Sequence, residues 1–266
     1  MNASLFVCDT IVARIYLPQI TLCAVTSVNL PATLQALERS LDQVRFGNCI
    51  LLTHTKFTPD HAEIECRQIG RLTSSRAYSY FILNELVDHI ATSHCLLTQW
   101  DGHVLDAGRW RNDFMDFDYI GATWPQFEDG YDVGNGGFSL RSRQLMAACR
   151  QPDFIAHHPE DVAIGRTNRA ELERRGIKFA PKALADKFSA ERNGNPEDTF
   201  GYHGAFLMPK VLGTEQFWKI YRSLDCRSGM RQDLPSFIKG LATGPRPIRR
   251  SLRVLGDRVK DSLLRY

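Results

Sequence analysis

Residues 20–55 read ITLCAVTSVNLPATLQALERSLDQVRFGNCILLTHT. The first eight of these residues are apolar and rich in β-branched side chains, which favours a buried strand. Three leucines then recur at helical spacing after Asn29 and Pro31, a pair typical of a helix start. A second apolar run follows at residues 49–55. Strand, helix and strand in this order predict the βαβ opening of a parallel sheet covered by helices.

The same alternation continues along the chain. The pattern predicts a helix over residues 75–90, strands over 93–100 and 117–123, and a strand that runs into a helix after the glycine cluster at 134–143. We therefore predict an α/β fold with a mainly parallel central sheet covered by helices. The predicted boundaries follow composition and the prolines after residue 234, and they are an N-terminal extension at 1–18, one compact domain at 19–241, and a basic amphipathic tail at 242–266.

The composition is that of a globular protein, with 43% apolar residues, 24% charged residues and a net charge of +3. This charge is too weak to indicate nucleic-acid binding. No window approaches the roughly 18 uninterrupted apolar residues of a membrane span, and the first residues lack a secretory signal, so we expect a cytoplasmic protein. The seven cysteines are scattered and form no C-x-x-C pair, so we expect most of them to be small core residues.

The last 21 residues, 246–266, carry six arginines and one lysine against two aspartates. Apolar residues recur among them at helical spacing, namely Ile248, Leu252, Leu255, Val259 and Leu263. A basic amphipathic helix of this kind can lie on an anionic membrane surface, which would place the protein at the periphery of the inner membrane. The alternative is a solvated helix that caps the domain or forms a dimer contact. The sequence leaves both interpretations open.

The segment LLTQWDGHVLDAG, residues 96–108, places Asp101 just after an apolar strand. In open α/β sheets, ligands bind at the carboxyl ends of the strands, where the loops diverge. A carboxylate there can ligate a divalent cation that neutralises a diphosphate. The alternative is a turn, because Asp-Gly is a common turn pair.

The segment GNGGFSLRSR, residues 134–143, has three glycines in four positions before a strand-like run. Such a backbone can pass close to a bound sugar or phosphate, with Ser139 and Arg141 as polar contacts. Tight turns explain the glycines equally well.

The segment HHPEDVAIG, residues 157–165, contains an adjacent pair of carboxylates, Glu160 and Asp161. One of them could accept a proton from an attacking hydroxyl while the other positions the acceptor. The alternative is simple stabilisation of a helix N-terminus by acidic residues.

The segment FGYHGAF, residues 200–206, places His203 between aromatic residues and glycines. An imidazole in this setting can complete a metal site or contact a phosphate, with Asp101 as its partner. Tyr202 and Phe200 could stack on a sugar ring, or they could belong to the core.

Six motifs occur in a fixed order between residues 76 and 206: QWDG, W-x-x-D-F with FDYIGA, GNGGFSLRSR, HPEDV, GIKFAP and FGYHG. Together they resemble a bacterial family of uncharacterised glycosyltransferase-like proteins that are often found among surface-polysaccharide genes. The resemblance covers at least half of the chain. It implies the GT-A fold, in which a strand-end aspartate holds Mn²⁺ or Mg²⁺ on the diphosphate of a nucleotide-sugar.

The resemblance also implies roles for individual residues. Related enzymes carry an Asp-x-Asp motif, whereas this chain has Gln99-Trp100-Asp101, so metal binding would depend on Asp101 and a remote ligand, His203. Asp161 or Glu160 would be the catalytic base. The residues implied in donor binding are Thr26, Ser27, Val28, Arg76, Gln99, Trp100 and Asp101, and those implied in sugar or acceptor binding are Gly136, Gly137, Phe138, Ser139 and Tyr202.

The expected function is transfer of a sugar from a nucleotide-diphosphate donor to a hydroxyl of a glycan or lipid-linked acceptor in cell-surface polysaccharide biosynthesis. One alternative is a nucleotidyltransferase, although TSVNLPAT stands where such proteins usually have a basic glycine-rich loop. A second is a non-catalytic glycan-binding or scaffolding protein of the same fold, which the lost first aspartate of the metal motif keeps open. A hydrolase based on His157, His158 and Cys149 is possible from the residue types alone. Nothing in the sequence, however, arranges these residues as nucleophile, base and orienting group.

Overall fold

A computed structural model describes residues 14–263. Its central sheet has six strands in the order β3-β2-β1-β4-β7-β6. The bounds of these strands are β1 Ile15–Thr26, β2 Val44–Thr53, β3 Glu65–Gln68, β4 His94–Thr98, β6 Tyr119–Thr123 and β7 Val133–Ser142. The strand β1 pairs in parallel with both β2 and β4, and β2 pairs in parallel with β3. Only β7 is antiparallel to its neighbours, β4 and β6, so the predicted α/β fold with a mainly parallel sheet is confirmed.

Helices cover both faces of this sheet. Alternate residues of a strand point to opposite faces, and in β1 Leu22 packs with Leu37 and Leu41 of the first helix, whereas Cys23 packs with Phe81 and other residues of the second. The α-helices are α1 Leu30–Gln43, α2 Ser75–Asn84, α3 Leu86–His89, α4 Arg143–Ala148, α5 Glu160–Val162, α6 Arg169–Arg174, α7 Lys182–Phe188, α8 Met208–Leu212, α9 Thr214–Ser223, α10 Leu234–Ala242 and α11 Pro247–Leu263. Helix α1 begins at the predicted pair, with Asn29 as N-cap and Pro31 in the first turn.

A second, three-stranded sheet has the order β5-β9-β8, with bounds β5 Gly102–Val104, β8 Ser189–Ala190 and β9 Gly201–His203. Strand β5 pairs antiparallel with β9, and Gly102 lies opposite His203. The sequence patterns did not predict this sheet, because its strands are only two or three residues long. Through this sheet, β5, which directly follows Asp101, lies beside β9, which comes later in the chain than all strands of the central sheet.

The structure describes part of the predicted N-terminal extension and most of the predicted tail. Strand β1 begins at Ile15, inside the predicted extension, and pairs with β2 from that residue; residues 1–13 of the extension lie outside the described chain. The predicted tail contains α11, whose Val254 is buried in the cluster that α9 and α10 form. Cys23, Cys49, Cys95 and Cys149 are buried thiols, as predicted for most of the cysteines. Among the described residues, no helix combines the length and apolarity required to cross a membrane.

Candidate functional site

A cavity of about 690 Å³ lies at the carboxyl ends of β1 and β4. Residues from several separate predicted segments line it together. They are Thr26, Ser27 and Val28 after β1, Gln99 and Trp100 after β4, Gly137 in β7, Glu160 and Asp161 in α5, and His203 in β9. Strand ends and loops that are distant in sequence therefore meet where an open α/β sheet binds its ligands.

Asp101, His203 and Glu191 form a largely buried cluster, and of these three residues only His203 lines the cavity. Asp101 Oδ1 lies 3.4 Å from His203 Nε2, and Glu191 Oε1 lies 3.5 Å from His203 Nδ1. The other oxygen of Asp101, Oδ2, accepts a hydrogen bond of 3.0 Å from the Ala205 N–H, which fixes this carboxylate against the residues after β9. A carboxylate thus faces each nitrogen of one imidazole.

The charges of this cluster favour a protonated imidazole. Burial disfavours the imidazolium, but the carboxylates of Asp101 and Glu191 outweigh that cost, so the pKa of His203 lies well above its ordinary value. Neither ring nitrogen of His203 and neither Asp101 Oδ1 nor Glu191 Oε2 has a hydrogen-bond partner within the described chain. The contacts of the two ring nitrogens with Asp101 and Glu191 are therefore ion-pair contacts at the limit of hydrogen-bond geometry.

Two glycines of the cluster at 134–143 make room for these side chains. A Cβ atom on Gly137 would lie 2.1 Å from His203 Nε2, and a Cβ atom on Gly136 would lie 2.8 Å from Glu160 Oε1. Neither distance is compatible with a side chain, so the backbone of β7 approaches the site as closely as it does because these positions lack one. The Gly137 carbonyl also accepts a hydrogen bond of 3.0 Å from the Gln99 N–H.

Asp101 Oδ1 and His203 Nε2 could serve as two protein ligands of a divalent cation once the imidazole has lost its proton, because only the neutral ring ligates a metal. Among the side chains that the structure describes, no group of three or more His, Cys, Asp or Glu residues could hold a metal ion. Asp101 Oδ1 and His203 Nε2 nevertheless face one another at 3.4 Å, and Mg²⁺ commonly binds one or two carboxylates together with phosphates and water. Glu191 lies on the other nitrogen of the ring, which is the usual place of the carboxylate that orients a ligating histidine.

The adjacent carboxylates of α5 lie in different environments. Asp161 is half-buried at the cavity, and its two oxygens accept hydrogen bonds from the backbone N–H groups of Gly136 (3.2 Å) and Val162 (2.8 Å). Burial, together with the negative charge of Glu160, raises the pKa of Asp161 to about 7, despite these hydrogen bonds and the positive charge of Arg141. Asp161 therefore titrates near neutral pH, where a general base is most effective.

Glu160 is instead tied to a buried cation. Its side chain and that of Arg141 are 7% and 1% exposed, and Glu160 Oε1 lies 3.3 Å from Arg141 Nη2. Ser79 Oγ donates a hydrogen bond of 3.2 Å to Glu160 Oε2 and lies 2.8 Å from His158 Nδ1. These contacts occupy both carboxylate oxygens of Glu160 and hold its side chain in place. Of the two predicted base candidates, the geometry favours Asp161.

The segment after β1 forms the opposite wall. Thr26 and Val28 hydrogen-bond to one another, and Ser27 Oγ accepts a hydrogen bond of 2.9 Å from the Leu72 N–H. Asn29 then adopts a left-handed backbone with φ of 55°, and its side chain bonds the backbone of Asp225 and Cys226. The Val28 side chain is exposed at the cavity.

Several predicted contacts do not reach the cavity. Phe138 and Tyr202 are fully buried in the two main core clusters, and Ser139 is buried with its hydroxyl bonded to the Gly136 carbonyl. None of these three side chains lines the cavity, so the structure does not bring them to the predicted sugar or acceptor site. Arg76 is exposed in the first turn of α2 and does not line the cavity either.

Other residues of the site were missed. Glu191 follows β8, a strand of two residues that no periodicity could reveal, and it faces His203 only because β8 and β9 are neighbours. Tyr78 and Asn135 also line the cavity, and the Tyr78 hydroxyl lies 3.3 Å from Gln99 Nε2. The sequence could have indicated Tyr78, because residues one helical turn apart share a helix face and Tyr78 follows Ser74 and Ser75, which also line the cavity, by one turn.

Comparison with known proteins places the chain in a family. Residues 61–203, which are more than half of the chain, match the model of the family described as "Protein of unknown function (DUF5672)". The chain belongs to this family. The matched range includes Asp101, both carboxylates of α5, Glu191 and His203, so the family region contains the candidate site.

No curated protein matches the sequence. Among the solved structures that match is the apo form of the glycosyltransferase GlyE from Streptococcus pneumoniae TIGR4, with 12% identity and a TM-score of 0.39. The alignment covers 76% of this chain and 50% of that chain, so this chain spans about half the length of that structure. A likeness at this TM-score determines neither the fold type nor the chemistry.

Proposed function

We propose that this protein is a glycosyltransferase of the GT-A type that moves a sugar from a nucleoside-diphosphate donor to an acceptor hydroxyl. One observation carries the proposal: Asp161, a carboxylate with a pKa of about 7, shares a cavity with a His203 whose ring nitrogen faces Asp101. The cavity of about 690 Å³ has the size of a small-molecule site. By the resemblance of its motifs, the acceptor is a glycan or lipid-linked hydroxyl in cell-surface polysaccharide assembly.

The donor nucleotide binds along the wall formed by Thr26, Ser27 and Val28. The exposed Val28 side chain offers an apolar surface to a base, and Gln99 and Trp100 continue the wall toward Asp101. Trp100 is partly exposed at the cavity, so its ring can stack on a base or a sugar. The diphosphate then lies beside Asp101 and His203.

Asp101 and His203 would hold Mn²⁺ or Mg²⁺ on that diphosphate, and Glu191 would orient the imidazole. The cation would offset the negative charge that develops on the departing nucleoside diphosphate. Gly137 gives the His203 ring its place, since any side chain there would collide with it.

Asp161 accepts the proton of the acceptor hydroxyl as that oxygen bonds to the anomeric carbon. The bond between the sugar and the diphosphate breaks, and the nucleoside diphosphate leaves. A dedicated base of this kind suits a single inverting displacement. Glu160 is a positioning residue, since its negative charge raises the pKa of Asp161 while Arg141 holds it in place.

The test is the release of a nucleoside diphosphate from a panel of nucleotide-sugars in the presence of Mn²⁺. We expect slow release with one donor, because water can replace an acceptor, and faster release with the correct acceptor. The variant Asp161→Asn should reduce release by about 100-fold or more, which is the usual contribution of a general base. The same variant should retain stabilisation by the matching nucleoside diphosphate in a thermal-unfolding assay.

A matched control is Asp153→Asn, which removes an exposed carboxylate that pairs with Arg175. It should leave release unchanged. Stabilisation by a diphosphate without release from any nucleotide-sugar would favour the non-catalytic binding protein. Full activity in Asp161→Asn would remove Asp161 from the mechanism. Loss of release in the control variant would show that the effect is not specific to Asp161.

A further inference from the structure

A second cavity of about 490 Å³ lies between α9 and α11, and it is lined by arginines. Its lining shares no residue with the candidate site. The six arginines come from both helices and the segments next to them, and they are Arg222, Arg227, Arg246, Arg249, Arg250 and Arg253. Trp218, Tyr221 and Asp257 complete the lining. We call this feature the arginine cavity.

The charges in the arginine cavity are not balanced. Arg250 pairs with Glu215, and Arg253 Nε lies 3.0 Å from Asp257 Oδ1. Within the described chain, no carboxylate lies within ion-pair distance of Arg222, Arg246 or Arg249. Several guanidinium groups around one space repel one another unless an anion lies between them.

Arg250 supplies independent evidence for such an anion. This residue is only 7% exposed, and its Nη1 is buried without a hydrogen-bond partner in the described chain. Arg227 Nε is in the same situation. Trp218 and Tyr221 hold these two guanidinium groups by ring contacts at 5.2 Å and 5.1 Å, so the donors are fixed before any ligand arrives. Fixed guanidinium donors match the oxygens of a phosphate.

The backbone that enters α11 is also unusual. Arg246 has a φ of 53°, and it lies between Pro245 and Pro247. A left-handed conformation costs energy in a residue with a side chain, and such strain is often found at ligand sites. Here it brings Arg246 to the arginine cavity at the start of α11.

The same helix exposes an apolar stripe, which consists of Ile248, Leu252, Leu255 and Val259. These residues are spaced four, three and four positions apart, so they lie on one face of α11. Ile248 is 76% exposed and Leu252 is 62% exposed. Arg249 and Arg253 directly follow two of them, about 100° further round the helix, so the arginine cavity lies beside the stripe.

We propose that α11 and the arginine cavity bind an anionic phospholipid surface. The arginines take the headgroup phosphates, and the apolar stripe enters the boundary between headgroups and acyl chains. Both features are needed for this occupant, whereas a soluble phosphate would leave the stripe unused. A symmetric contact with a second copy of the chain would bring the same arginines together on both sides, which like-charge repulsion opposes.

This docking surface is close to the candidate site. Arg227 lines the arginine cavity, while its neighbour Cys226 and the nearby Gly229 line the cavity of the site. Membrane binding through α11 would therefore bring the site within reach of an acceptor that is anchored in the bilayer. The binding itself does not depend on the proposed transferase activity.

The test is co-sedimentation of the full chain with vesicles. We expect binding to vesicles of phosphatidylglycerol and phosphatidylcholine in equal parts, weak binding to phosphatidylcholine alone, and weakening by salt. The triple variant Arg222→Gln, Arg246→Gln and Arg249→Gln should lower the partition coefficient about 100-fold, at about fivefold for each arginine. These three side chains are exposed, so the fold should persist.

The matched control removes the same charge elsewhere, through Arg111→Gln, Arg174→Gln and Lys178→Gln, which are also exposed. It should change the partition coefficient less than threefold. For the stripe, Leu252→Gln should weaken binding at least fivefold, whereas Ile155→Gln, at 61% exposure against 62% for Leu252, should not.

Three results would overturn the proposal. One is equal binding to both kinds of vesicle, or none to either. Another is an equal loss in the two triple variants, which would show a response to net charge alone. The third is binding of a different occupant. It would be shown by stabilisation by inorganic pyrophosphate without vesicle binding, or by a dimer in analytical ultracentrifugation that Leu252→Gln dissociates.

Discussion

Asp101 and His203 face one another across the join between the two sheets, with 3.4 Å between Oδ1 and Nε2. The contact exists because β5, which starts directly after Asp101, pairs antiparallel with β9, which ends at His203. Glu191 reaches the other ring nitrogen because β8 pairs with β9. A small sheet of short strands therefore assembles this cluster from three distant segments.

Metal binding is the first expected consequence of this contact. Asp101→Asn and His203→Ala should each abolish detectable Mn²⁺ binding in the presence of a nucleoside diphosphate, because each removes one of the two proposed protein ligands. Glu191→Gln should weaken binding about 10- to 100-fold, since it removes the group that orients the imidazole. Electron paramagnetic resonance of free Mn²⁺ measures the bound fraction without any need for turnover.

The control for these variants is Glu197→Gln, which changes an exposed carboxylate that pairs with Lys210. Its Mn²⁺ binding should equal that of the unchanged protein. If His203→Ala bound Mn²⁺ normally, the cluster of Asp101, His203 and Glu191 would be a structural ion pair rather than a cation site.

Gly137→Ala should disrupt the same site from the backbone side. The new Cβ would lie 2.1 Å from His203 Nε2, so the imidazole must move away from Asp101. We expect a loss of about 1–3 kcal/mol in the free energy of unfolding, as for other overpacked sites, together with weaker Mn²⁺ binding. Urea unfolding followed by circular dichroism measures the stability. Gly70→Ala is the control, because a Cβ there meets no atom within 4 Å, and an unchanged stability in Gly137→Ala would contradict the close contact.

The central sheet could be predicted from the sequence because its signals are local. Apolar runs of strand length and leucines at helical spacing identified β1, α1 and β2, although β2 begins at Val44, before the predicted residue 49. The first three residues of β2 alternate between buried and exposed positions, so they do not form the continuous apolar run on which the prediction depended. The helix predicted over 75–90 is divided into α2 and α3 at Glu85.

The candidate site was predicted only in part, because burial is a property of the whole fold. The pattern at 134–143 predicted a role for Gly136 and Gly137. It did not predict why glycine is required there, which is that Glu160 and His203 lie too close for a Cβ atom. The same pattern placed Phe138 at the ligand, whereas strand alternation turns its ring into the core. Nothing local to α5 distinguishes Glu160 from Asp161, since it is Arg141 on β7 that separates their environments.

The pH dependence of transfer should report Asp161. Its pKa is raised to about 7, chiefly by burial and by the charge of Glu160. Below that pH the carboxyl is protonated and cannot accept a proton, so the rate should fall about tenfold for each unit of pH below about 7 and level off above it. Steady-state rates between pH 5 and pH 9 measure this limb. In Asp161→Asn the residual rate should no longer fall as the pH drops below about 7. A fall that persists in this variant would assign the titration to another group.

The buried pair of Arg141 and Glu160 gives the last prediction. Arg141→Gln would leave Glu160 buried without its cation, next to Asp161, and should lower the free energy of unfolding by about 3–5 kcal/mol. The exposed pair of Arg174 and Glu171 is the control, and Arg174→Gln should cost at most about 1 kcal/mol. Urea unfolding at pH 7.5 measures both. Equal effects of the two substitutions would mean that solvent screens Glu160. A screened Glu160 would no longer repel the negative charge of Asp161, so the raised pKa of Asp161 would lose one of its two causes.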